Sequence, residues 1–233
     1  PLAFCRKSSC HLCPVPIVCP GILFLLLSCM ATLVAADEPF RTAASRRIDV
    51  HHIRLDIELD LPKKHLRGRA TINFSPLPAF FETGREPVIE LDAHALDVSA
   101  VRLARDGGQA TAVDFAVRDD ELFITAPEGM VETGRKYFVE IDYSVTDPET
   151  GLHFFGPTKQ APNVPLMVWS QGEPQANHHW FPCIDNSNER QSTELNVRVS
   201  GGVEVLSNGK LISRRNSAQG HTTFHWKQEK EHV

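Results

Sequence analysis

Cysteine is almost absent from this 233-residue chain after its first 29 residues. Five of the six cysteines lie in that leader, and Cys183 alone follows them. A segment with one cysteine forms no internal disulfide, so residues 37 to 233 are not a disulfide-framed fold. A thiol between Pro182 and Ile184 is more typical of a small buried hydrophobic side chain than of a nucleophile.

The chain also lacks a strong excess of charge of either sign. It carries 24 lysines and arginines against 29 aspartates and glutamates, a net charge of −5, and the two signs are scattered along the sequence. A nucleic-acid-binding protein needs a concentrated basic face. We therefore predict no nucleic-acid partner.

No long segment has the 3.6-residue hydrophobic period of an amphipathic helix. Between residues 53 and 61 aliphatic residues alternate with charged ones, and the two-residue period returns between residues 66 and 74 after a turn. This is the pattern of a β-hairpin with one buried face. Further strand candidates are 88–91, 98–103, 111–117, 122–125, 137–145, 164–169, 195–199, 203–206 and 222–227. Many short strands with turns between them predict an all-β sandwich over residues 48–233.

The first 36 residues have the layout of an export signal. Arg6 and Lys7 form a short basic region, residues 17 to 27 are strongly apolar, and Val34-Ala35-Ala36 supplies the small residues that precede cleavage. The apolar run is shorter than the roughly 20 residues that a membrane-spanning helix needs. We predict a signal peptide over residues 1–36, cleaved near Ala36.

This leader predicts a secreted or periplasmic protein. Residues 37–47 would form a linker after cleavage. Lipid attachment at Cys29, in the sequence Leu26-Leu27-Ser28-Cys29, is an alternative to release.

The segment with the most specific chemistry begins at Gln171. An amide, Gln171, and a carboxylate, Glu173, flank Gly172, and side chains two positions apart on an extended backbone point the same way. Together they can bind one small ligand, and a carboxylate beside an amide suits a cationic group such as an amine. The same pattern also fits a solvated polar loop.

Two histidine pairs carry metal-capable side chains. The His178-His179 pair lies near Cys183 and Asp185, and a His51-His52 pair lies near the start of the β region. Adjacent side chains on an extended chain point to opposite faces and do not readily share one ion. We predict no metal site in this chain.

Four motifs carry a family resemblance. They are Gln171-Gly172-Glu173-Pro174, Trp180-Phe181-Pro182-Cys183-Ile184-Asp185, Asn188-Glu189-Arg190 and Leu206-Ser207-Asn208-Gly209-Lys210-Leu211. Together they resemble the N-terminal domain of the aminopeptidase N family of zinc metalloaminopeptidases, and the resemblance extends over residues 48–233. It implies a twisted, saddle-shaped β-sandwich. The chain departs from the family at Asn177-His178, where Ala-Arg is frequent, and at Ser187, where proline is usual.

The resemblance also implies a role for each of two residues. Gln171 would line the pocket for the first side chain of the substrate, and Glu173 would help to hold its free α-amine. The substrate would be a peptide with a free N-terminus. Zinc would be bound by a catalytic domain that follows in the same chain.

The catalytic motifs of such an enzyme are missing from this sequence. No His-Glu-x-x-His run occurs, and residues 129–133 only approach the family's Gly-x-Met-Glu-Asn loop. We therefore predict no catalytic or metal-ligating residue here and interpret the chain as a fragment that is inactive alone. The alternative is a secreted, non-catalytic β-sandwich that binds a ligand or a protein, and the fold does not separate the two.

Overall fold

Strands dominate the part of the chain that can be described. The computed structural model describes residues 45–82 and 87–233. The predicted signal peptide, Cys29 and residues 37–44 of the predicted linker lie outside these ranges. Within them, no helix has the length and apolar character to cross a membrane.

Thirteen strands and two short 3₁₀ turns occur in these ranges. The turns are Pro78–Phe81 and Asn177–His179. The strands are β1 Ile48–Asp60, β2 His65–Pro76, β3 Val88–Asp92, β4 Asp97–Arg105, β5 Thr111–Ala112, β6 Phe115–Arg118, β7 Glu121–Thr125, β8 Tyr137–Thr146, β9 Leu152–Phe155, β10 Met167–Ser170, β11 Gln191–Ser200, β12 Lys210–Asn216 and β13 His221–His232.

The largest sheet has eight strands in the order β12-β13-β11-β1-β2-β8-β4-β5. All neighbours pair antiparallel except β1 and β11, which run parallel with His52 opposite Ser192 and Glu58 opposite Arg198. The predicted hairpin is confirmed, because β1 pairs with β2 over almost its whole length. Ile53, Leu55 and Ile57 of β1 are buried, as the alternation predicts.

A second sheet, with the order β3-β7-β6, closes the core. Its Leu91 and Ile124 belong to the same buried cluster as Phe74 of β2, Leu103 of β4 and Ile141 of β8. Side chains from two sheets that share one core define a sandwich. The all-β sandwich predicted from the sequence is therefore confirmed.

Several details of the predicted strands are wrong. Residues 111–117, predicted as one strand, form β5 in the large sheet and β6 in the second sheet. Residues 203–206 form no strand, and the chain pairs only from Lys210 onward as β12. A further difference is β9, a four-residue strand that the sequence did not reveal. It pairs with β10 to form a separate two-stranded hairpin.

The predicted linker ends in anchored residues. Arg46 donates to Glu189 over 2.8 Å, and Arg47 donates to Glu90 over 2.7 Å. Residues 45–47, which are the described part of that linker, are thus tied to the core by two arginines.

Candidate functional site

Gln171 and Glu173 lie at the end of the β9–β10 hairpin. β10 ends at Ser170, and the backbone N–H of Gln171 still donates to Gly151 on the other side of the hairpin over 2.9 Å. Both side chains are exposed. Among the described residues, neither side chain has a hydrogen-bond or ion-pair partner. The loop thus presents an amide and a carboxylate that remain available to a ligand.

Two glycines let this loop pack closely. Gly151 has a φ of +77°, and a Cβ there would overlap the carbonyl of Ala176. A Cβ on Gly172 would overlap the amide of Asn177. Since any larger residue would push these segments apart, glycine at both positions fixes how the loop sits on the turn that follows.

Asp185 anchors that turn. Its Oδ2 accepts hydrogen bonds from the backbone N–H of His178 over 3.1 Å and from the same residue's ring Nδ1 over 2.8 Å. Its Oδ1 accepts from Nδ2 of Asn177 over 3.3 Å. The backbone N–H of Asp185 donates in turn to Asp92 at the end of β3 over 2.7 Å. The sequence marked Asp185 only as a metal-capable group, whereas the structure gives it a positioning role.

Cys183 joins the loop to the sandwich. It exchanges backbone hydrogen bonds with Asp92, of 2.7 and 3.2 Å, in an isolated β-bridge. Its side chain is 3% exposed, and burial raises the pKa of the thiol well above its ordinary value. The prediction of a buried small hydrophobic residue is confirmed.

Three histidine rings pack against one another next to the turn that follows the loop. The ring centroid of His179 lies 4.2 Å from that of His94 and 4.5 Å from that of His178. His94 belongs to the turn after β3, and its Nδ1 is 2.9 Å from Oδ1 of Asp120. Burial, followed by the neighbouring His178 and His94, lowers the pKa of His179. We call these three residues the histidine cluster.

The histidine pairs marked in the sequence make ordinary contacts. His51 and His52 hydrogen-bond to Ser75 and Ser192, each over 2.8 Å. Within residues 45–82 and 87–233, no group of three histidine, cysteine or acidic side chains has an arrangement that holds a metal ion.

The hairpin that carries Gln171 has an apolar outer face. Met167 lies opposite Phe155 and Trp169 opposite His153, and alternation places these side chains on one face. Phe155, Met167 and Trp169 are 45%, 45% and 47% exposed. On the other face, Leu152 is buried. The exposed row therefore continues along the strand that leads to Gln171, a feature that sequence reasoning missed because β9 was not predicted.

Solved structures with a similar fold include zinc peptidases and a hydrolase. An M1 zinc metallopeptidase from Deinococcus radiodurans has a TM-score of 0.63 at 20% identity, over 82% of this chain and 41% of that one. Native leukotriene A4 hydrolase from Saccharomyces cerevisiae has a TM-score of 0.63 at 17% identity, over 88% of this chain and 31% of that one. At these identities the similarity establishes the fold.

Curated proteins with a similar sequence are named as a subunit of a transcription initiation factor and not as peptidases. Transcription initiation factor TFIID subunit 2 from Gallus gallus is 30% identical over 107 residues, 44% of this chain and 9% of that protein. The subunit from Drosophila melanogaster is 26% identical over 110 residues, with the same shares. The chain thus spans about a tenth of the length of these relatives and less than half of the solved chains.

A family match covers nearly the whole sandwich. The family model described as Peptidase M1 N-terminal domain matches residues 49–232, from the second residue of β1 to the last residue of β13. The match confirms the family resemblance drawn from the motifs between residues 171 and 211. This chain belongs to the family of peptidase M1 N-terminal domains.

Proposed function

We propose that this chain is the substrate-binding N-terminal domain of an exported zinc metalloaminopeptidase, which removes N-terminal residues from peptides. In this proposal Gln171 lines the pocket for the first side chain of the peptide, and Glu173 holds its protonated α-amine. The family membership supports the enzyme class. The layout of residues 6–36 supports export.

The observation that carries the proposal is an exposed, unpartnered carboxylate on an anchored loop. Glu173 has no cation among the described residues to pair with, although arginine and lysine side chains pair with carboxylates elsewhere in them. The loop that bears it is held by close packing at Gly151 and Gly172 and by Asp185. A carboxylate placed in this way suits a cationic group from outside the domain.

An amine-holding carboxylate explains how an aminopeptidase recognises a chain end. A free peptide terminus carries a positive charge, whereas an internal peptide nitrogen is a neutral amide. Once the site is shielded from water, the charge-assisted contact to Glu173 favours the terminus by about 1.5 to 3 kcal/mol. Gln171 is neutral and tunes the shape and polarity of the pocket instead.

Zinc chemistry falls to another part of the enzyme in this proposal. The described residues do not fit zinc, because they contain no set of three suitably arranged ligands. We place the metal in a downstream catalytic domain, where it would activate water for attack on the peptide bond. The exposed row of Phe155, Met167 and Trp169 beside the loop offers that domain an apolar contact surface.

Substitution of Glu173 in the whole enzyme tests the proposal. We expect Glu173→Gln to lower kcat/KM for free-amino substrates about ten- to a hundred-fold, since each 1.4 kcal/mol is a factor of ten. Gln171→Ala should instead change the ranking of alanyl, leucyl and arginyl reporter substrates. Glu128→Gln, the same chemical change at an exposed carboxylate after β7, is the control and should leave all three rates within twofold. Rates within twofold for Glu173→Gln, with fold and zinc content intact, would contradict the amine-holding role.

A non-catalytic binding module is the second candidate. The observation in its favour is that the curated relatives are named as subunits of transcription initiation factor TFIID and not as peptidases. The sequence encoded beyond Val233 separates the two candidates. A Gly-x-Met-Glu-Asn run followed by His-Glu-x-x-His would establish the enzyme, and a continuation without these motifs would favour the binding module.

A further inference from the structure

The histidine cluster lies where four connecting segments meet. His94 comes from the turn between β3 and β4, and the 178–179 pair comes from the 3₁₀ turn after the Gln171–Glu173 loop. Asp120, in the turn between β6 and β7, is 2.9 Å from Nδ1 of His94. Glu149, in the loop between β8 and β9, is 3.8 Å from Nε2 of the same ring. A change in the charge of this cluster therefore acts on all four segments.

A continuous set of contacts links the cluster to the loop. The backbone N–H of His94 donates to the carbonyl of His178 over 3.0 Å. His178 and Asn177 share the carboxylate of Asp185. Gly172 separates Gln171 from Glu173 along the chain, and the side-chain amide of Asn177 fills the space beside this glycine. A displacement of the rings thus moves the residues against which the loop rests.

The three rings differ in whether a carboxylate lies next to them. His178 faces Asp185, and His94 faces Asp120 and Glu149. His179 lacks a carboxylate within ion-pair distance among the described residues, and its Nδ1 is buried without a partner. The carboxylates of Asp120 and Glu149 favour its charged form, but burial and the two neighbouring rings outweigh them, so its pKa is lowered. Asp92 and Cys183, which also border Asp185, add no cation.

We propose that Asp185 and the histidine cluster position the Gln171–Glu173 loop, and that protonation of His179 loosens this loop, so that substrate binding weakens in mild acid. The part that concerns substrate rests on the proposed function. Because the closed loop binds a proton on His179 less readily than an open loop does, protons favour the open form. At pH values above the ordinary histidine pKa of about 6.5 the loop stays closed, and it loosens as the pH falls below that value.

Amide hydrogen exchange on this chain tests the loosening without any enzymatic assay. The amides of Ala176 and Trp180 donate to Gly172 and Asn177 within the loop, over 2.8 and 3.0 Å. We expect their protection factors, which are already corrected for the intrinsic pH dependence, to fall between pH 7.5 and 5.5, by at most about tenfold because the open-loop pKa of about 6.5 lies one unit above the lower pH. In His179→Gln, which cannot take up the proton, the protection factors should be equal at the two pH values.

Two controls separate loop opening from general destabilisation. The amide of Ile141 in the core should keep its protection over the same pH range. His65→Gln removes a histidine that bonds to Thr146 at the start of β2 and makes no contact with the histidine cluster among the described residues, and this variant should show the wild-type fall at Ala176 and Trp180. Unchanged protection in the wild type, an equal fall in His179→Gln, or an equal fall at Ile141 would each overturn the proposal.

The pH profile of the whole enzyme provides a second readout. We expect KM to rise on the acid side more than kcat falls, and this acid limb of KM should be weaker in His179→Gln. An enzyme that turned over no aminoacyl substrate would refute the proposed function but would leave the exchange result intact. If the enzyme is active and its KM rises equally in acid in the wild type and in His179→Gln, only the control of the loop by His179 is refuted.

Discussion

A buried carboxylate fixes where the chain enters the sandwich. Glu189 is 2% exposed, and it accepts hydrogen bonds from Nη1 of Arg46 and from the backbone N–H of Val50, each over 2.8 Å. Its hydrogen bond is the largest cause of the raised pKa of Arg46. One side chain thus ties the residues before β1 to the loop that precedes β11.

Removal of this carboxylate should destabilise the domain. Glu189→Ala leaves the buried N–H of Val50 without a partner and leaves the half-buried Arg46 with only the partly exposed Asp49 as its counterion among the described residues. We expect a loss of about 2 to 3 kcal/mol in the free energy of unfolding, measured by urea denaturation. The matched control is Glu204→Ala, which breaks the exposed 2.6 Å pair with Arg214 and should cost less than about 1 kcal/mol. Equal losses in the two variants would show that burial of Glu189 is unimportant.

The exposure of single residues was predictable where the local sequence decides it. The exposed amide and carboxylate at Gln171 and Glu173 follow from a polar run interrupted by glycine and proline. The anchoring role of Asp185 could not be predicted from the sequence, because its contact with Asp92 joins residues 93 positions apart. The ring contact between His94 and His179 could not be predicted either, because it depends on how separate turns of the chain pack together.

At the scale of the strands, the outer face of the large sheet carries a cross-strand ladder of charges. Asp142 of β8 accepts from Nε of Arg69 on β2 over 2.6 Å and from Nη1 of Arg102 on β4 over 2.8 Å. The hydrogen bond from Arg69 is the largest cause of the lowered pKa of Asp142. The ladder therefore crosses three neighbouring strands.

The stabilisation from Asp142 should disappear in acid. Since its pKa is lower in the folded chain than in the unfolded one, the stabilisation is complete above the unfolded value of about 4 and is lost as the pH falls below it. We expect Asp142→Asn to be less stable than the parent at pH 7, and the difference should shrink as the pH falls below about 4. Urea denaturation at a series of pH values measures this. A difference that stays constant with pH would mean that the carboxylate charge plays no part.

The long strands with one buried face could be predicted from alternation, and the exposed edge strand β12 could not. β1 and β8 bury every second residue over most of their length, which is the signal that alternation detects. β12 is exposed at six of its seven positions, so its sequence carries no such pattern. It is an edge strand, held on one side by β13, and its pairing rather than its burial keeps it extended.

At the scale of the whole molecule, the described residues form a hydrophobic core but no group of three side chains arranged to hold a metal ion. Residues 45–233, purified alone, should retain no stoichiometric zinc and should not cleave aminoacyl reporter substrates. The reason is that a zinc site needs at least three protein ligands in a preformed arrangement, and none is found among the described residues. Metal analysis of the folded protein, together with the reporter assay, checks this. One tightly held zinc per chain would contradict this prediction and would indicate as ligands the metal-capable side chains of His178, His179, Cys183 and Asp185.

The parallel pairing of β1 with β11 has a consequence during synthesis. His52 and its partner Ser192 are 140 residues apart, so a ribosome working at about 5 to 20 residues per second needs roughly 7 to 28 seconds to supply the second strand. For that time β1 can pair with β2 on one side only, and its other edge shows unsatisfied backbone groups to every nascent chain nearby. The charged residues Arg54, Asp56 and Glu58 alternate along β1. Charges on an edge strand discourage wrong pairing, so these residues protect the nascent domain until β11 arrives.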